Sequence, residues 1–296
     1  MRGFNLPEGV TMDVSNEAGA TIAIQNPECL GRISIRGGQV LGWQPNGHAP
    51  VLWVSPGAIF SPGKSIRGGV PVCWPWFANH PTDTLKPMHG FARLRDWRLE
   101  GVQNMGGVTL ASLKLPAHQH DREHWPYSSR PTLNIALSDT LSLRLSLTNT
   151  DPEPIVISQA LHTYFNVSDI GAIRISGLDG KNFYDKVTNS HDHIQSGDIV
   201  FAGELDRIYT HGEGHVELND PGLKRTISIN QQGGNSIVVW NPWVEKAGYL
   251  GDMGPATSYR SMVCIETGSV ADGAFTLEPG ATHTLETTIS VKALAA

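Results

Sequence analysis

The 296-residue chain carries a net charge of −6, with 40% hydrophobic and 17% charged residues. That is the composition of a folded globular chain long enough to bury a large core without disulfide or metal staples. It contains no basic run that would support nucleic-acid binding, and no stretch that approaches the ~20 apolar residues of a membrane-spanning helix.

In chain order, the dominant pattern is apolar/polar alternation with period two, the mark of strands with one wet face. It begins at Ile33-Ser34-Ile35-Arg36, closed by Gly37-Gly38. It is strictest at residues 141–148, where Leu141, Leu143, Leu145 and Leu147 alternate with Ser142, Arg144, Ser146 and Thr148. It returns at Thr226-Ile227-Ser228-Ile229 after the turn signal Asp220-Pro221-Gly222, and again over residues 285–291 after Glu278-Pro279-Gly280. No window of a dozen residues shows a helical apolar stripe, and residues 116–123 admit a short helical turn at most. The 32 Gly and 19 Pro fit many turns and short strands. The expected fold is therefore all-β, a large antiparallel sandwich or barrel, with residues 1–296 forming one domain. Cys29, Cys73 and Cys264 are odd in number and far apart, and read as reduced, buried thiols of a cytoplasmic protein. The N-terminus lacks the apolar core of a secretory signal.

Four segments break the alternation and hold the chemistry. In residues 65–77, Arg67-Gly68-Gly69 precedes Trp74-Pro75-Trp76-Phe77. Such an aromatic wall suits the apolar face of a sugar, and equally suits a core plug. In residues 86–97, His89 and Arg93 flank Gly90, where the backbone can approach a ligand. The planar fork of an arginine favours phosphate, although a loop arginine can simply be solvated. In residues 158–166, strand geometry puts His162 and Tyr164 on one face with Ser158 and Ala160. A lone strand histidine can equally be structural. In residues 261–268, Glu266 ends the apolar run Met262-Val263-Cys264-Ile265. Burying that carboxylate is costly without a partner, and desolvation would raise its pKa toward the range a general base needs.

Taken together and in this order, these motifs resemble the aldose 1-epimerase superfamily, and within it the hexose-6-phosphate branch. The resemblance rests on Arg67-Gly68-Gly69 with Trp74-Pro75-Trp76-Phe77, on His89-Gly90-Phe91-Ala92-Arg93, and on Leu161-His162-Thr163-Tyr164-Phe165. Trp240-Asn241-Pro242-Trp243 and Cys264-Ile265-Glu266-Thr267-Gly268 complete it. The resemblance implies a galactose mutarotase-like antiparallel β-sandwich that interconverts sugar anomers with no metal or other cofactor. Glu266 would take the proton of the anomeric hydroxyl while His162 protonates the ring oxygen. It also implies that Arg67 and Arg93 meet the phosphate, that His89 and Asp206 hold the ring hydroxyls, and that Trp74 belongs to the substrate site. The partner is then a small hexose phosphate, likened most to glucose 6-phosphate, with no nucleic-acid or membrane partner and a monomeric chain. One departure is visible: Met88 stands where members of the branch often carry Gln, and a thioether cannot replace an amide's hydrogen bonds.

Rival readings are a sugar-binding module without catalysis, a glycosidase, a metal cupin, and an epimerase of unphosphorylated aldoses. A binding module has no need of the His162 and Glu266 pair. A glycosidase ordinarily uses two carboxyls flanking the bond. The cupin reading would use His89 and His162 as ligands, without a close His-x-His spacing.

Overall fold

The computed structural model describes residues 5–14, 19–119, 125–210 and 214–294. Two eight-stranded antiparallel sheets dominate it. The first runs in the order Ser190–Ile194, Asn182–Asp185, Leu205–Thr210, Ser236–Asn241, Met262–Ser269, Gln159–Leu161 and Val72–Cys73, with Tyr164–Asn166 also pairing on Met262–Ser269. The second runs Arg174–Ser176, Gly214–Asp220, Arg225–Gln232, Thr282–Ala293, Thr140–Asn149, Ser129–Leu137, Val108–Lys114 and Arg98–Met105. A four-stranded sheet over Val10–Asp13, Thr21–Gln25, Cys29–Ser34 and Gln39–Pro45 and a two-stranded pair, Ile155–Ile157 with Phe275–Leu277, complete the strands.

The expected alternation is present in the second sheet. In Thr140–Asn149, Leu141, Leu143, Leu145 and Leu147 are fully buried while Arg144 faces solvent. The strand is held between Ser129–Leu137 and Thr282–Ala293 in unbroken register. Each buried leucine contributes about 1.5–3 kcal/mol of hydrophobic stabilisation. These leucines share one core with Ile227, Ile229 and Ile289 of their own sheet and with Leu161, Val239, Val263 and Ile265 of the other. The Asp220-Pro221-Gly222 signal lies in the turn between two paired strands. There the Asp220 carboxylate accepts bonds from the backbone N–H of Ser168 and Leu223. The strand at Ile33 ends at Ser34, two residues early. Arg36 is instead buried and bridges to Asp96, and the N–H of Gly37 donates to the Arg95 carbonyl.

The first sheet differs. Every residue of Ser236–Asn241 and of Met262–Ser269 is buried. Val263 and Ile265 point into the core between the sheets, whereas Cys264 and Met262 pack with Trp53, Tyr164 and Trp240 on the opposite face. That second face is covered by loops and by the short helix Trp243–Tyr249. Two covered faces explain why residues 262–265 read as an unbroken apolar run instead of an alternating one. Residues 116–119 contain a single turn of 3-10 helix at Ala117–Gln119; the rest of the helical turn expected over 116–123 lies outside the described residues. All three cysteines are buried and unpaired. No helix among the described residues is long and apolar enough to cross a membrane.

Candidate active site

Glu266 and His162 meet on the loop-covered face of the first sheet. Register is constant from Leu161 opposite Thr267 to Tyr164 opposite Cys264, which places His162 opposite Glu266. The strand carrying His162 is interrupted at that point: the N–H of His162 donates to the Pro71 carbonyl, and the N–H of Thr163 turns back to donate to the Leu161 carbonyl. His162 Nε2 lies 3.2 Å from Glu266 Oε1, and the two side chains are only 8% and 2% exposed. The imidazole stacks on Tyr164, with centroids 4.8 Å apart, and meets the edge of Trp240.

Desolvation dominates the electrostatics of this pair. It pushes the Glu266 carboxyl well above the usual carboxylate range, and nearby Asp206 raises it further while Lys186 and Arg93 oppose. Desolvation also holds the His162 imidazole well below its ordinary value, helped by the positive charges of Arg93 and Arg67. Groups this close titrate as a unit, so the pair is best described as two bases sharing one proton across 3.2 Å. Glu266 Oε2 and His162 Nδ1 are buried without a hydrogen-bond partner, and so is Arg93 Nε. Buried polar atoms left unpaired are uncommon, and each of these three retains hydrogen-bonding capacity that a polar ligand could use.

The other expected residues are placed unequally. His89 has a left-handed backbone, φ 63°, and precedes Gly90, φ 72°. A Cβ at Gly90 would sit 2.0 Å from the Trp74 carbonyl oxygen, so only glycine fits. The close approach turns the His89 ring edge-on to His162, with centroids 5.6 Å apart, and His89 Nδ1 accepts the N–H of Ala78. Arg93 donates to the Met88 carbonyl, so its anchor uses the backbone of residue 88 and is indifferent to that residue's side chain. Arg93 has no carboxylate partner among the described residues. Arg67 does: its Nε and Nη2 both donate to Asp252 Oδ1, at 3.0 and 2.9 Å, and its Nη1 donates to the Tyr164 hydroxyl. Asp206 is 8% exposed and pairs with Lys186 at 3.0 Å.

Trp74 requires a correction. It is fully buried within the core, edge-on to Phe91 at 5.3 Å and to Trp125 at 5.8 Å, so neither of its faces is open to a sugar. Trp74 is a core plug, and Trp240 with Tyr164 supplies the rings beside the His162–Glu266 pair. Asn241, in the second aromatic cluster, is structural: its amide donates to the carbonyls of Tyr259 and Met262. Sequence reasoning missed Lys186 and Asp252, ordinary charged residues of loops with no local pattern to single them out. Among the described residues, no group of three or more His, Cys, Asp or Glu side chains is placed to hold a metal ion.

Fold and site together define an antiparallel β-sandwich protein whose covered sheet face carries a buried histidine–glutamate pair. Residues 20–290 match the aldose 1-epimerase family, and the chain belongs to that family. It is 36% identical over 262 residues to a Cenchrus ciliaris protein named "Putative glucose-6-phosphate 1-epimerase", covering 85% of this chain and 78% of that one. An Escherichia coli K12 protein of the same name is 34% identical over 248 residues, with 83% and 82% of the two chains covered. The crystal structure of a Salmonella typhimurium protein described as a "putative mutarotase" superposes with a TM-score of 0.91 at 29% identity, over 98% of this chain and 96% of that one. A galactose mutarotase-like protein from Clostridium acetobutylicum shares the fold at a TM-score of 0.70 and 14% identity, with 96% and 98% covered.

Proposed function

We propose that the chain interconverts the α and β anomers of a hexose 6-phosphate, with glucose 6-phosphate the first substrate to try. The observation that carries this reading is the buried His162–Glu266 pair with its unpartnered Oε2 and Nδ1 atoms, beside Arg93, which has no carboxylate partner among the described residues. The names of the Cenchrus ciliaris and Escherichia coli relatives support the choice of substrate.

Ring opening requires removal of a proton from the C1 hydroxyl and delivery of one to the ring oxygen. The ionised form of the pair does both: the Glu266 carboxylate accepts the first proton and the His162 imidazolium gives up the second. The pair is then protonated Glu266 beside neutral His162, the form that burial favours. Rotation about C1–C2 presents the other face of the aldehyde. In closure, the C5 hydroxyl returns its proton to His162 and Glu266 protonates the former carbonyl oxygen. One proton thus stays with the pair through the cycle, and no net proton is exchanged with solvent.

Arg93 is the cation for the phosphate in this reading, while His89 and Asp206 hold ring hydroxyls. Arg67 retains only the N–H groups not committed to Asp252 and Tyr164, so it orients the aromatic side of the site and contributes less charge to an anion. That pairing favours a second reading, an epimerase of unphosphorylated aldoses. The family match over residues 20–290 supports a single domain. A monomeric chain belongs to the same proposal.

Magnetisation-exchange NMR at anomeric equilibrium tests the proposal. The protein should accelerate α/β exchange of glucose 6-phosphate above the buffer rate, and accelerate exchange of glucose less. Equal acceleration of both sugars selects the unphosphorylated reading. Broadened sugar resonances with exchange left at the buffer rate would make the protein a binder and sink the acid–base assignment.

A further inference from the structure

Lys186 has no role so far beyond its contact with Asp206, yet its position is unusual for a lysine. It follows the strand Asn182–Asp185, one strand in from the edge of the first sheet, and its N–H donates to the Asp206 carbonyl. Backbone and side chain are therefore tied to the same residue, since Nζ lies 3.0 Å from Asp206 Oδ2. The ammonium also stands 6.0 Å from the centroid of Phe77, whose ring packs edge-on against His89 at 4.6 Å. Lys186 is thus held at three points along the margin of the acid–base centre, with its side chain 28% exposed.

The sheet shows what that ammonium faces. Asp206, Trp240, Cys264 and Tyr164 form one cross-strand row, and Ile208, Val238, Glu266 and His162 form the next. Two carboxylates therefore lie on one covered face, two strands apart with apolar side chains between them, where water screens their repulsion poorly. We propose that Lys186 is a positioning residue of the acid–base centre: its ammonium fixes the Asp206 carboxylate and offsets that second negative charge, so that Glu266 can ionise. The proposal rests on Glu266 acting as the base. The other charged groups acting on Glu266 are Arg93 beside His89 and the partner His162. Arg67 acts on His162, and the imidazole of His89 edge-on to His162, the neutral thiols of Cys73 and Cys264 and the hydroxyl of Tyr164 are the remaining titratable neighbours. Of these groups only Lys186 touches Asp206, so none can substitute for it.

The sign follows from charge alone. Removing a cation makes protonation of both Glu266 and His162 easier, so the single-proton form of the pair persists to higher pH and begins at higher pH. In Lys186→Met, the pH window of enzyme-catalysed exchange should move upward by about one unit. Lys186→Arg should restore the wild-type window. The ring resonances of His162, followed by NMR without substrate, should titrate at higher pH in Lys186→Met than in wild type. A window and a His162 titration both unchanged in Lys186→Met, with only KM raised, would reduce Lys186 to a tether for Asp206 and overturn the proposal. If the wild-type protein proves inactive, the functional reading falls, while the His162 titration still decides whether Lys186 sets the charge of the centre.

Discussion

The strands Thr140–Asn149 and Met262–Ser269 lie in facing sheets and have opposite economies. The first buries one side and wets the other, alternating fully buried leucines with Ser142, Arg144, Ser146 and Thr148. The second is buried at all positions, with one side in the common core and the other under loops. A residue on the wet side of the first strand can be any polar type. A polar residue on the covered side of the second must be paired or functional, because water cannot compensate it. Glu266 is such a residue, which is why one acidic side chain after an apolar run is more informative than the many charges elsewhere.

The comparison can be broken at either strand. The largest effect is expected at Glu266→Gln, which keeps size and removes the proposed base: enzyme-catalysed exchange should fall by about 10²–10⁴-fold, with the urea midpoint held or raised because a desolvated ionisable group has been replaced by a neutral amide. Unchanged exchange would remove Glu266 from the mechanism. Leu143→Ala in the alternating strand should do the reverse, lowering stability by about 2–5 kcal/mol in urea unfolding while activity per folded molecule persists. Arg93→Ala comes next, with turnover of glucose 6-phosphate reduced about 10- to 100-fold and turnover of glucose affected less. Equal losses would cancel the reason for choosing the phosphate ester. Arg144→Ala is expected to do least. Its guanidinium is 58% exposed and 3.9 Å from Glu286, so stability should move by no more than about 0.5 kcal/mol in the same urea assay.

The same contrast separates what was legible in the sequence from what was not. The leucines of residues 141–148 announce their strand because period two and one wet face are local properties. Glu266 and His162 were found because each is a polar residue in an otherwise strand-like context, and sheet register then joins positions 104 residues apart. Trp74 was misassigned because aromatic composition does not reveal which way a ring faces, and its neighbours Phe91 and Trp125 are distant in sequence. Arg67 and Arg93 are equivalent in sequence, each in a glycine-containing loop. They differ in the folded chain because Asp252, 185 residues from Arg67, claims one of them. Lys186 and Asp252 were invisible for the same reason: the charge each one answers is supplied by the fold.

The three thiols carry a practical consequence. Burial pushes Cys29 up to about 11 and Cys73 up to about 12, and Cys264 stands well above its ordinary value. A thiol that is both enclosed and protonated does not react with electrophiles. In the native state the chain should therefore behave as though it had no cysteine, and each equivalent of label taken up would count molecules that have opened. Because Cys29 belongs to the N-terminal sheet while Cys73 and Cys264 lie on strands of the sheet that carries the His162–Glu266 pair, the order in which the three become labelled would show which part of the protein loosens first.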